Sequence, residues 1–165
     1  EAIYYFNRAI MIAPDYVYAY NNRANAYAKL GQYQRAIEDY NRAIFLYPDY
    51  AESYYARGNL YGKLMGKYEL AINDFNKAIR LKPDYMHAYN NRGTVLNILG
   101  SYQMAIDDFN KAIRLKPSYA NSWNNRAFSY FNIGDTKQGC SDAKEACKLG
   151  YCNTLRWAQK KGHCN

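Results

Sequence analysis

The chain has 165 residues, is 49% hydrophobic, and carries 22 basic against 14 acidic side chains, a formal charge of +8. That apolar content can bury a core and excludes a disordered polyelectrolyte, while no apolar run reaches the roughly 18 residues of a membrane span. The opening EAIYYFNRAI lacks the basic-then-apolar layout of a signal peptide, and the positive balance points to an acidic partner only where it forms a patch.

Residues 1–14 read as one amphipathic helix closed by Pro14. YVYAYNNRANAYAKL then predicts a second helix, Gly31 a turn, and YQRAIEDYNRAIFL a third helix that stops before Pro48. The same layout returns around Gly66 with Pro83, around Gly100 with Pro117, and around Gly134. The four prolines are 34, 35 and 34 residues apart, so the chain is a repeat array. The one extra residue lies next to Gly66, where the turn is expected to absorb it. Small residues recur in fixed columns (Ala24, Gly58, Gly93, Ala127; Ala36, Ala71, Ala105) beside aromatic ones (Tyr40, Phe75, Phe109). Such columns let two helices approach closely and fill the space next to the contact.

These small, aromatic, Gly and Pro columns, running from residue 2 to 149, closely resemble the tetratricopeptide repeat, a helix-turn-helix module of about 34 residues. The resemblance implies an all-α, right-handed superhelical solenoid of stacked antiparallel helix pairs. It divides the chain into a second helix of a truncated repeat at 1–14 and repeats at 17–50, 51–85, 86–119 and 120–151, the last of them degenerate. Residues 152–165 become a capping helix and Cys-containing tail. The half-repeat implies a missing partner helix, and its apolar edge is a candidate homodimer contact.

One column departs from the family pattern. Where a packed leucine is usual, this chain has Arg23, Arg57, Arg92 and Arg126. Each second helix carries an aspartate at a matching place: Asp39, Asp74, Asp108 and Asp142. A guanidinium near a helix contact is tolerated when its stem packs and its head meets a carboxylate, so four structural ion pairs are expected, one per repeat.

In this family the first helices line the concave surface, which usually holds the ligand. Mapped by column, that surface carries Tyr18, Asn21, Asn22, Asn25 and Lys29 in the first full repeat, then Glu52, Tyr55, Asn59 and Lys63. The third repeat places His87, Asn90, Asn91, Thr94 and Asn97 there, and the fourth Asn121, Asn124, Asn125, Phe128 and Asn132. The row Asn22, Asn91 and Asn125, broken at Ala56, is similar to the asparagine ladders of armadillo proteins. An Asn side chain both donates and accepts, so a row of them suits the backbone of an extended peptide; the alternative is that these asparagines are solvated or bridge repeats. The lysines and arginine of the chaperone-adaptor carboxylate clamp are absent, their places taken by Asn21, Asn22, Ala56, His87 and Asn91, so no preference for acidic C-terminal tails is expected. Many remaining cations, such as Arg80 and Arg114, sit in the last turns of second helices and complement the helix dipole.

The chain ends in a predicted short helix near 153–161, stopped by Gly162, with Leu155, Ala158 and Trp157 on its buried side. All four cysteines lie here. An antiparallel cap brings Cys152 to Cys147 and Cys164 to Cys140, giving nested disulfides; reduced thiols and a zinc site remain alternatives, although no C-x-x-C spacing is present. Disulfides imply a periplasmic or secreted protein, reduced thiols a cytoplasmic one. No nucleophile or base pairs with His87 or His163 and no phosphate loop occurs, so no enzyme activity and no cofactor are expected. The function is therefore read as a scaffold that binds a protein or peptide partner. Binding of RNA or another anionic ligand, suggested by the charge and 20 tyrosines, is the alternative reading.

Overall fold

The computed structural model describes residues 1–164, so the last position of the predicted tail, 165, lies outside the described residues. The described residues form ten α-helices and no strand. They group into two compact units, Glu1–Pro83 and residues 84 onward.

The first unit holds α1 (Ala2–Ile12), α2 (Val17–Lys29), α3 (Tyr33–Leu46), α4 (Ala51–Asn59) and α5 (Tyr68–Leu81). Within it α2 packs on α3 and α4 on α5 as hairpins, while α1 lies against α2 and α3 against α4. The second unit holds α6 (Met86–Ile98), α7 (Tyr102–Leu115), α8 (Ala120–Asn132), α9 (Thr136–Lys148) and α10 (Asn153–Lys160). Here α6 pairs with α7 and α8 with α9; α8 also packs on α7, and α10 covers α9.

Each hairpin turns on a glycine in the left-handed region; Gly31 has φ 74° and Gly100 φ 76°. This residue ends the first helix and lets the next backbone N–H reach back. Gln32 donates to the Tyr27 carbonyl at 2.9 Å and Ser101 to that of Leu96 at 2.9 Å. In the second repeat the corresponding bond runs from Lys67 to Tyr61, one residue longer. The chain takes up the extra residue by winding Leu60–Leu64 into a π-helix at the end of α4. The insertion is thus absorbed mainly inside the helix, not in the Gly66 turn as the spacing suggests. A wider turn keeps the backbone hydrogen-bonded while accepting one more residue.

The core follows the small and aromatic columns. Ala36, Ala71 and Ala105 are fully buried, and Tyr40, Phe75 and Phe109 are at most 2% exposed. Two of the small positions are glycine, and a ring lies close against the backbone at each. A β-carbon on Gly93 would stand 2.8 Å from the Phe109 ring, and one on Gly58 would stand 3.0 Å from Phe75. Aromatic side chains also secure the repeat junctions: the Tyr20 hydroxyl donates to the Pro14 carbonyl and Trp123 Nε1 to that of Pro117.

At the C-terminal end, α10 is stapled to α9 at both of its ends. Cys147–Cys152 joins the last turn of α9 to the start of α10, and Cys140–Cys164 joins the second turn of α9 to the segment after α10. The pairing is nested and uses every cysteine. Ala158 is fully buried and Leu155 half-buried, whereas Trp157 stays exposed. Its indole instead meets the Phe131 ring edge-on at 5.5 Å, beside the His163 imidazole.

Replacing Gly93 by valine should force the Phe109 ring out of its place, at a cost of about 1–3 kcal/mol from overpacking. The urea unfolding midpoint of Gly93→Val measures this, and an unchanged midpoint would contradict the close approach.

Candidate functional site

The arginines set the geometry on which the inner surface rests. Arg23 Nε donates to Asp39 Oδ2 at 2.7 Å and its Nη2 to Oδ1 at 2.6 Å. The same two-pronged contact joins Arg57 to Asp74, Arg92 to Asp108 and Arg126 to Asp142, with distances of 2.6–2.8 Å. All four pairs lie within a single repeat. The third donor reaches back to the preceding helix: Nη1 of Arg23 donates to Asn7, that of Arg57 to Asn41, and that of Arg126 to Asn110. Aromatic faces complete the setting. Tyr20 and Tyr27 flank Arg23, Tyr54 and Tyr61 flank Arg57, and Trp123 and Tyr130 flank Arg126, at 5.0–5.9 Å from ring centre to guanidinium.

The hydrogen bond to Asp39 holds the Arg23 guanidinium above its ordinary value, and that to Asp108 does the same for Arg92. On the acidic side burial pushes the Asp108 and Asp142 carboxyls up, against the opposite pull of Arg92 and Arg126. These aspartates are costly to bury ionised, and the facing guanidinium makes the burial tolerable.

Asparagine partners of the arginines were hidden in plain view in the sequence. The second helices read FNRAI, YNRAI, FNKAI and FNKAI, so an asparagine recurs with the repeat period. It is the only sequence signal for the third member of the contact.

In the first unit the inner faces of α2 and α4 open onto a hollow of about 710 Å³. Asn22, Asn25, Lys29, Tyr55, Asn59 and Lys63, all singled out by column, come together in its lining. Phe6, Tyr40, Ala56 and Leu60 supply apolar wall. Asn25 is held in place by the Tyr40 hydroxyl, which donates to its Oδ1 at 2.7 Å. Burial pushes the Tyr40 phenol up, so it remains protonated and can serve as this donor. In the second unit Thr94, Asn97, Asn124, Asn125 and Phe128 line a smaller hollow of about 350 Å³ with Tyr102 and Thr154.

Several expected groove residues are committed elsewhere. Asn21 is buried and accepts a hydrogen bond from Ser53 in the next repeat; Asn90 is buried and accepts one from Ser122. Both partners are 32 residues downstream, because the fifth position of one first helix faces the third position of the next. Asn97 accepts from Ser129, and Asn124 from Thr154 on the capping helix. Asn91 is buried and accepts from Asn90, while Asn125 donates to Thr94. The row Asn22, Asn91 and Asn125 is therefore exposed, buried and half-buried in turn, and not an evenly open ladder. Tyr18 and His87 lie outside both linings; they stand edge-on to Tyr50 and Tyr119, at 5.2 and 5.4 Å.

Among the described residues no group of three or more His, Cys, Asp or Glu side chains comes together as a metal site, and no helix is long and apolar enough to cross a membrane. The hollows offer amides, hydroxyls, ammonium groups and apolar wall.

Comparison with known families matches the tetratricopeptide repeat at residues 17–50 and 87–119, and a TPR repeat at residues 65–97. Comparison with curated proteins finds no match. Among solved structures, a crystal structure of MamA has a TM-score of 0.82 at 24% identity, over 90% of this chain and 86% of that one. MamA from Desulfovibrio magneticus RS-1 has a TM-score of 0.81 at 20% identity, over 90% and 83%. PilW, a widely conserved type IV pilus biogenesis factor, has a TM-score of 0.78 at 20% identity, over 87% of this chain and 66% of its own. These likenesses extend the shared fold over most of the chain.

Removing one partner of a buried pair leaves the other charge without compensation. Asp74→Ala should therefore cost about 3 kcal/mol in urea unfolding, and a midpoint equal to wild type would contradict the ion pair's role. The direction of the carboxyl shifts sets a pH test. A folded value above the unfolded one means that the contribution of Asp108 and Asp142 is present below about pH 3.9 and is lost as pH rises through their folded values. Carbon-detected NMR titration should place both midpoints above about 3.9; midpoints below it would reverse the sign.

Proposed function

Because the chain belongs to the tetratricopeptide repeat family, a family of protein-interaction scaffolds, we propose that it binds an extended segment of a partner protein along the inner faces of its first helices. The observation that carries this reading is the lining of the hollow in the first unit, where exposed Asn22 and half-buried Asn25 and Asn59 surround an apolar wall. Amides present a donor and an acceptor together, as a peptide backbone requires. Apolar wall between them receives side chains, so backbone and side chains are held by different parts of one surface. In the second unit the half-buried Asn125 and exposed Phe128 play the corresponding parts. The scaffold works without catalysis.

A photo-crosslinking amino acid placed at Asn22 should capture a partner polypeptide from the protein's own cell extract, and Asn25→Ala with Asn59→Ala should reduce the yield several-fold. Equal capture by a probe on the outer helix at Glu38 would overturn the inner-face assignment.

We also infer an extracytoplasmic location. Two disulfides in one small domain persist where thiols are kept oxidised, and the structurally similar PilW acts in pilus biogenesis. Intact mass of protein taken from its native cells under thiol-blocking conditions should be lower than the reduced form by two hydrogens per bond. A fully alkylated protein would contradict the location.

A further inference from the structure

We propose that the hollow of the first unit selects a partner segment with an internal apolar side chain flanked by carboxylates. This rests on the groove reading and adds its chemical selectivity. The wall is apolar over Ala2, Phe6, Ala26, Ala56, Leu60 and Leu64, enough to bury one branched or aromatic side chain. Its charged members are Lys29 and Lys63 alone; no aspartate or glutamate lines it.

The two lysines occupy the same position in successive first helices, thirteen residues from the start of each repeat, so both lie toward the same end of the hollow. Both are exposed, and among the described residues neither takes part in an ion pair with a carboxylate. The second unit lacks this feature. Ile98 and Asn132 stand at the equivalent places, and the inner-face hollow of that unit has no charged lining residue; its lysine-lined hollow, at Lys137 and Lys144, lies on α9 instead. Selection for negative charge is therefore a property of the first hollow, not of the repeat in general.

The π-helix supplies an independent reason to single out this wall. Leu60, Lys63 and Leu64 all belong to it and all line the hollow. In the preceding repeat the residue equivalent to Leu64 is Leu30, which precedes its turn glycine directly and does not line the cavity. The widened turn thus brings an additional apolar side chain to the wall beside the lysine. Interruptions of this kind recur at functional sites because they re-aim side chains that a regular helix would send elsewhere. The anchor is internal to the partner segment: a free terminal carboxylate needs a convergent clamp of cations, and the inner positions two turns before the lysines carry the uncharged Asn22 and Ala56.

A displayed library of random peptides, selected on the full chain, tests this. Bound sequences should be enriched in Leu, Ile, Met or Phe with Asp or Glu within three residues on either side. The charge-reversed variant Lys29→Glu, Lys63→Glu, altered only at exposed positions, should bind synthetic versions of those peptides about tenfold more weakly and select Lys- or Arg-flanked sequences instead. Enrichment of apolar residues with no acidic flank would overturn the selectivity and leave the groove reading standing. Unchanged binding of acid-flanked peptides to the reversed variant would place their site elsewhere and overturn it too. No enrichment of any sequence on the wild-type chain would sink the groove reading itself.

Discussion

The guanidinium–carboxylate contact within each repeat is the interaction on which the stacking depends. Arg23, Arg57, Arg92 and Arg126 stand where two helices of a hairpin meet, and each is held on two prongs by its aspartate. A leucine would pack in that place with less desolvation. An arginine brings a third donor, and in three repeats that donor reaches an asparagine of the preceding helix. One side chain thus links the two helices of its own hairpin to the neighbouring hairpin. Two aromatic rings lie 5.0–5.9 Å from the guanidinium of Arg23 and of Arg126 and add cation–π contact to the two-pronged hydrogen bond, whose planar geometry specifies register as well as approach.

That seam explains how the inner surface divides its asparagines between structure and recognition. With register set, the fifth position of a first helix falls opposite the third position of the next, and there the chain places Asn21 with Ser53 and Asn90 with Ser122. These amides are consumed in holding repeats together. On α2 the positions one and four residues further along reach the hollow, where Asn22 and Asn25 remain, whereas on α6 the neighbouring Asn91 is buried against Asn90. A buried amide must be satisfied by neighbours, whereas an exposed one trades water for a ligand at little cost. The same residue type therefore serves two purposes one helical step apart. The cap follows a related logic: an eight-residue helix is too short to hold itself, and disulfides at both ends keep α10 over the last pair.

Much of this was legible in the residues themselves. The proline spacing identified the hairpins, because a helix that ends every 34 or 35 residues leaves little other choice. The coincidence of an Arg column and an Asp column pointed to paired charges, and two helices running antiparallel favoured the nested cysteine pairing, with reduced thiols and a zinc site left as alternatives. What was not legible depended on offsets between repeats. Asn21 and Asn22 are adjacent in sequence, and only the inter-helix register distinguishes a bridging amide from an open one. The placement of the extra residue was also beyond reach, since a turn and a π-helix both accommodate one insertion and LYGKLMG is compatible with either. Trp157 was expected in the buried face of the cap; its size favours packing by ring edges at the rim, where Phe131 and His163 meet it.

A double-mutant cycle on Arg126 and Asp142 tests the seam most directly. Urea unfolding of Arg126→Leu, Asp142→Leu, the double variant and wild type gives the coupling between the two side chains. The seam predicts a coupling well above the ~1 kcal/mol ceiling of exposed ion pairs, with the double variant recovering much of what either single one loses. Additive losses, with coupling near zero, would show that the guanidinium and carboxylate do not depend on each other and would remove the basis for the stacking described.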